Sequence, residues 1–182
     1  MRLDAIMAKD GRRIAVTPPA TLRCPMAESV VHWVREDVTA VAADFGAPLK
    51  SLMVDTSYEC RSRNHIAGAK LSEHGHANAV DLRALTLANN TIIVLTDKAV
   101  RKEARAQLRD SACSRFATVL GPGSDAYHEN HIHLDQAERR NNYRLCQWNL
   151  YDQTVATVPL PPERPTAAPP RSATVGTSTR RD

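Results

Sequence analysis

A chain of 182 residues with 42% hydrophobic residues and a net charge of +4 suits one domain and a tail rather than two full domains. No apolar run approaches the ~20 residues of a membrane-spanning helix, and no dense basic stripe with interleaved aromatics marks a nucleic-acid surface. Aromatics make up only 4%, so the core must rest on Ala, Val, Leu and Ile.

Residues 1–15 are polar and read as a poorly ordered lead-in, running on to Thr17-Pro18-Pro19. They hold no apolar stretch of the kind a secretory signal carries. From Met26 to Phe45 the apolar positions (Met26, Ala27, Val30, Val31, Val34, Val38, Val41, Ala42, Phe45) recur every three or four residues, which predicts an amphipathic helix stopped at Gly46. Leu52-Met53-Val54 is a short strand candidate. Thr91–Thr96, rich in β-branched residues, is a stronger one. Asp97 is suited to cap a helix reaching about Ala112. Phe116–Leu120 predicts a strand broken by Gly121-Pro122-Gly123. Ile132 and Leu134, alternating with His131, His133 and Asp135, carry the period of a strand. The domain is therefore placed at 16–150. Residues 151–182 hold six of the 11 prolines between Pro159 and Pro170, and 161–182 carry a net charge of +2; the stretch 151–182 reads as a disordered Pro-rich tail.

The four cysteines, Cys24, Cys60, Cys113 and Cys146, contain no CxxC pair, which argues against a zinc ribbon or a thioredoxin-type site. Their spacing leaves buried thiols and two disulfides equally open. Of the three pairings, a nested one (Cys24 with Cys146, Cys60 with Cys113) would close the chain ends and staple the middle.

The seven histidines are not scattered. His74 and His76 form one cluster; His128, His131 and His133 form another. His32 reads as a helix-surface residue and His65 as a loop residue without a role. Between His74 and Asp81 lie mostly small residues, so the backbone can fold tightly and bring an imidazole and a carboxylate to one point. On a strand, His131 and His133 share a face and would point toward that pair. Neutral imidazole and carboxylate suit Zn²⁺, and three protein ligands leave a position open for catalysis. The competing reading is a set of surface histidines in polar loops. Glu129, a rival base, reads as a solvated loop residue, and His76 as exposed or outside the ligand set.

Ser72-x-His74-x-x-Ala77-x-Ala79-x-Asp81 resembles the SxHxxGxAxD signature of the hedgehog/D-Ala-D-Ala zinc metallopeptidase superfamily, with Ala77 at the glycine position. His131-x-His133 resembles its second metal motif, and the spacing His128-x-x-His131-x-His133 is similar to that of the murein endopeptidases. Five further stretches resemble the bacterial extensin-like C-terminal domain family: Cys24-Pro25-Met26-Ala27, Tyr58–Asn64, Leu71-Ser72-Glu73-His74, Leu120–Asp125 and Tyr143-Arg144-Leu145-Cys146. The resemblance runs from about Val16 to Gln147. It implies an α+β fold, hedgehog/DD-peptidase-like, with a small antiparallel sheet, flanking helices and the metal at the sheet's open face. It implies His74, Asp81 and His133 as ligands of Zn²⁺, His131 as a catalytic histidine and His128 as a further active-site histidine. Arg61, or alternatively Arg63, would face the substrate. The expected activity is zinc-dependent cleavage of peptidoglycan stem peptides in the periplasm or cell envelope, a setting that favours disulfides. The alternative is a non-catalytic zinc-containing module that binds the cell wall. A phosphoester hydrolase ranks below both, because the site lacks bridging carboxylates.

Overall fold

The computed structural model describes residues 1–150; the Pro-rich stretch 151–182 lies outside the described residues. The eight described strands form one sheet: β1 (Arg2–Met7), β2 (Arg13–Thr21), β3 (Leu49–Thr56), β4 (Ala79–Leu87), β5 (Ile92–Val94), β6 (Thr118–Leu120), β7 (Ile132–Asp135) and β8 (Leu145–Gln147). Their order is β1-β2-β3-β4-β7-β6-β8, and β5 pairs with the far end of β4. The architecture is mixed α+β. The expected small antiparallel sheet is instead an eight-stranded mixed one, because β2–β3 and β6–β8 pair in parallel.

Helix α1 (Cys24–Trp33) starts with Pro25 in its first turn, where a missing N–H costs nothing. It continues through a π-helical turn at Val34–Val38 into α2 (Thr39–Ala43). The chain then reverses at Gly46, whose φ of 83° suits glycine. Helix α3 (Lys102–Arg115) buries Ala104, Leu108 and Ala112, one residue per turn. These helices cover one face of the sheet. Met26, Val30, Trp33, Val34 and Val38 pack there with Leu52, Leu82, Val119, Ile132 and Leu134 in a single core. Trp33 meets Phe116 edge-on at 5.8 Å, and its indole N–H donates to Ser111 Oγ at 2.9 Å.

Several expectations are corrected. The lead-in is an ordered hairpin: Leu3 and Ile6 on β1 and Ile14 and Val16 on β2 are buried, and the hairpin turns at Gly11. Pro18 and Pro19 fall in a bulge of β2, between the pairs Ala5↔Ala15 and Leu3↔Ala20, where they owe the ladder no donor. Asp97 does not cap α3; its carboxylate accepts from the Ala99 N–H at 2.8 Å, closing a turn before the helix starts at Lys102. The nested disulfides are replaced by Cys113–Cys146, with Cys24 and Cys60 exposed thiols. Strand β6 begins just after α3, and β8 runs beside it with Cys146 opposite Val119, which brings Cys146 to the last turn of α3.

Candidate metal centre and active-site cavity

Strand periodicity divides the middle of the sheet into two faces. On β4, Val80 and Leu82 enter the core while Ala79 and Asp81 face the other way. On β7, Leu134 and Ile132 enter the core while His133 and Asp135 turn outward with Asp81. The antiparallel register sets Asp81 directly opposite His133, and Ala79 opposite Asp135. His74 reaches the same point from the turn His74–His76. Ser72 Oγ accepts from the Gly75 N–H at 3.1 Å, and His74 O accepts from Ala77 N at 3.0 Å, so the serine of the motif shapes the turn that carries the histidine. Ala77 ends this turn in the left-handed conformation (φ 52°, ψ 32°), the backbone state that glycine adopts most cheaply.

His74 Nε2 lies 3.1 Å from His133 Nδ1 and 3.2 Å from Asp81 Oδ2, and His133 Nδ1 lies 2.9 Å from Asp81 Oδ1. All three residues are buried. Each imidazole also has an outer acceptor. His74 Nδ1 lies 2.7 Å from the Ser57 carbonyl, which can only accept. His133 Nε2 lies 3.1 Å from Asp135 Oδ2, and the other oxygen of Asp135 accepts from Thr118 Oγ1 at 2.5 Å and Ala137 N at 2.9 Å. His74 therefore turns the lone pair of Nε2 inward, while His133 stands between two carboxylates, Asp81 at Nδ1 and Asp135 at Nε2, and a cation at the centre would replace the hydrogen on Nδ1. Donor atoms this close need a proton or a metal cation between them. Ligand atoms of tetrahedral Zn²⁺, at ~2.0–2.1 Å from the ion, lie about 3.3 Å apart, close to the separations seen here. The group could thus hold a metal ion.

The electrostatics agree. Burial works to lower the His133 pKa, but hydrogen bonds to Asp135 and Asp81 outweigh it and push it up to about 9. Burial works to raise the Asp81 pKa, and the hydrogen bonds of His133 and His74 hold it well below the usual carboxylate range. On protein groups alone, the site draws positive charge to its centre.

His131 Nε2 stands 3.7 Å from Asp81 Oδ1, and its Nδ1 faces Asn130 Oδ1 at 2.8 Å. Burial, only partly offset by the charge of Asp81, lowers its pKa, so the ring is neutral near pH 7. His128 Nδ1 meets Asp125 Oδ1 at 2.6 Å, and its ring centre is 5.3 Å from that of His131 and 5.4 Å from that of His133. These five histidine and aspartate side chains line one cavity of about 440 Å³.

The structure therefore brings together His74, Asp81, His128, His131 and His133. Arg61 and Arg63 also line the cavity. However, Arg61 Nε is bonded to Glu59 at 2.8 Å, and Arg63 is 59% exposed, 3.9 Å from Glu73. His76 is exposed. Glu129 is exposed and accepts from the Gly123 N–H at 2.8 Å, as a loop residue would. His32 lies exposed on α1 between Glu28 and Glu36. Sequence reasoning gave no role to Ser57, Thr118, Asp125, Asn130, Asp135 or Arg139. Asp135 carried a signal in its place two residues past His133 on one strand, and Asp125 in closing the stretch Leu120–Asp125.

No curated protein and no solved structure matches the chain. The family model described as "Extensin-like protein C-terminus" matches residues 1–147, which spans the hairpin, the helices and every member of the cavity. With this match over nearly all the described residues, the chain belongs to the extensin-like protein C-terminus family.

Proposed function

We propose that the chain is a zinc-dependent peptidase that cleaves peptidoglycan stem peptides at the bacterial envelope. The observation that carries this reading is the convergence of His74 Nε2, His133 Nδ1 and the Asp81 carboxylate at one buried point, with Ser57 O and Asp135 holding the outer ring nitrogens. The donor set suits Zn²⁺, whose Lewis acidity, when bound, polarises a peptide carbonyl and acidifies water. The two motifs sit on adjoining strands and a turn at the open face of the sheet, in keeping with a hedgehog/DD-peptidase-like fold. The disulfide Cys113–Cys146 is in keeping with an oxidising compartment.

The chain's own residues divide the proton work. His131 donates its Nδ1 hydrogen to Asn130 and keeps Nε2 as a base. A neutral imidazole there takes a proton from the attacking water and returns it to the leaving amine. His128, held through Nδ1 by Asp125 and set beside the rings of His131 and His133, is the further histidine of the active site. The walls of the cavity exclude bulk water from the buried carboxylates, which strengthens each of these interactions.

Digestion of purified sacculi with zinc-loaded protein, with and without chelator, tests the reading by mass spectrometry. New muropeptides that disappear with chelator support it. Tight sacculus binding without release of products from zinc-loaded protein overturns it in favour of a non-catalytic wall-binding module.

A further inference from the structure

Three guanidinium groups line the cavity, and they are not equivalent. Arg61 and Arg63 already have carboxylate neighbours in Glu59 and Glu73. Arg139, which follows β7, is half-buried and bonds only to neutral acceptors: Nη1 donates to Ala117 O at 3.0 Å and Nη2 to Thr118 Oγ1 at 2.6 Å. Among the described residues no carboxylate lies within ion-pair distance of it. The nearby Asp135 is engaged by His133, Thr118 and Ala137. A partly desolvated cation without a counter-ion is costly unless a ligand supplies one.

We propose that Arg139 is the carboxylate-binding group of the cavity, and that the substrate is a peptide carrying a free carboxylate beside the bond to be cut. This rests on the peptidase reading and names its substrate class. A guanidinium has five N–H donors; two are used here, and the rest suffice for a bidentate carboxylate. Its position is tied to the metal centre. Thr118 Oγ1 accepts from Arg139 and donates to Asp135 Oδ1, and Asp135 Oδ2 holds His133. A carboxylate on Arg139 is thus anchored at a set offset from the three metal-ligating side chains, which a peptide lacking that carboxylate cannot use.

The test is equilibrium binding of a synthetic stem pentapeptide to the zinc-loaded full chain, with His131→Ala in every sample to block turnover. Three forms are compared: all carboxylates free, the C-terminal carboxylate amidated, and the side-chain carboxylates amidated. The expected result is a loss of about 10- to 100-fold for one amidated form. Arg139→Gln reduces the free form to that same level, and Arg139→Lys lies between, both with the zinc content unchanged. The form that loses affinity tells whether the terminal or a side-chain carboxylate is held. If Arg139→Gln keeps the full discrimination and Arg61→Gln abolishes it, the assignment to Arg139 is overturned while the peptidase reading stands. If the His131→Ala chain binds none of the three and the zinc-loaded wild type releases nothing from sacculi, both are overturned. Should Arg139→Gln not fold, Arg139→Lys decides: undiminished binding and discrimination overturn the proposal.

Discussion

Ala77 shows how one residue can depart from a motif without losing its geometry. It holds φ 52° and keeps the backbone bonds that shape the turn, donating to His74 O and accepting from Arg23 N. A left-handed conformation costs a non-glycine residue about 1–2 kcal/mol, and part of any gain on reversion is offset by the entropy of an unfolded glycine. Ala77→Gly should therefore stabilise the fold by about 0.5–1 kcal/mol in chemical denaturation, with metal affinity unchanged. Asp135 tells the opposite story, a residue outside the resemblance on which the site depends. Without its carboxylate the His133 ring loses the partner that fixes its hydrogen on Nε2. Asp135→Asn should weaken zinc binding by about 10- to 100-fold in a competition titration with a chromophoric chelator. His74 and Asp81 were legible in the sequence because their spacing is local, and His133 because it shares a strand face with His131. Arg139 and Thr118 were not, because they meet the site through pairing of β6 with β7, which no local spacing announces.

At the scale of the element, β7 is the clearest case of pattern made into structure. Its alternation sends Ile132 and Leu134 to the core and His133 and Asp135 to the cavity. Leu134→Ala should thus cost about 2–5 kcal/mol of stability while the folded fraction still binds zinc. His133→Ala should show the reverse, losing metal with less damage to the core. Helix 24–43 was equally legible from apolar spacing. Strand β4 was not, although it carries Asp81 and is central to the sheet. It is buried at nearly every position, so it lacks the alternation that announces a half-exposed strand. The β1–β2 hairpin escaped notice because its buried residues are few and its prolines mimic a loop; the bulge that houses them is a tertiary arrangement.

At the scale of the whole molecule, the sheet gives one face to the helices and the other to the cavity. The Cys113–Cys146 bond ties α3 to the edge strand β8, which also pairs with β6 and is followed by the buried Trp148. It closes 33 residues of chain, so Cys146→Ser should lower stability by about 2–4 kcal/mol in urea unfolding, with the cavity's ligands still in place. The sequence could not choose this pairing, since it depends on β8 running parallel beside β6, a long-range outcome. The family assignment was legible because its motifs extend over most of the domain, and the match over residues 1–147 bears it out.

The measurement that tests the central claim most directly is elemental analysis of metal per chain for the purified protein and two variants, after dialysis against trace zinc. The account predicts about one zinc per chain for the wild type and for His131→Ala, and nearly none for His133→Ala. Zinc retained in full by a folded His133→Ala, or none bound by the wild type, would contradict it.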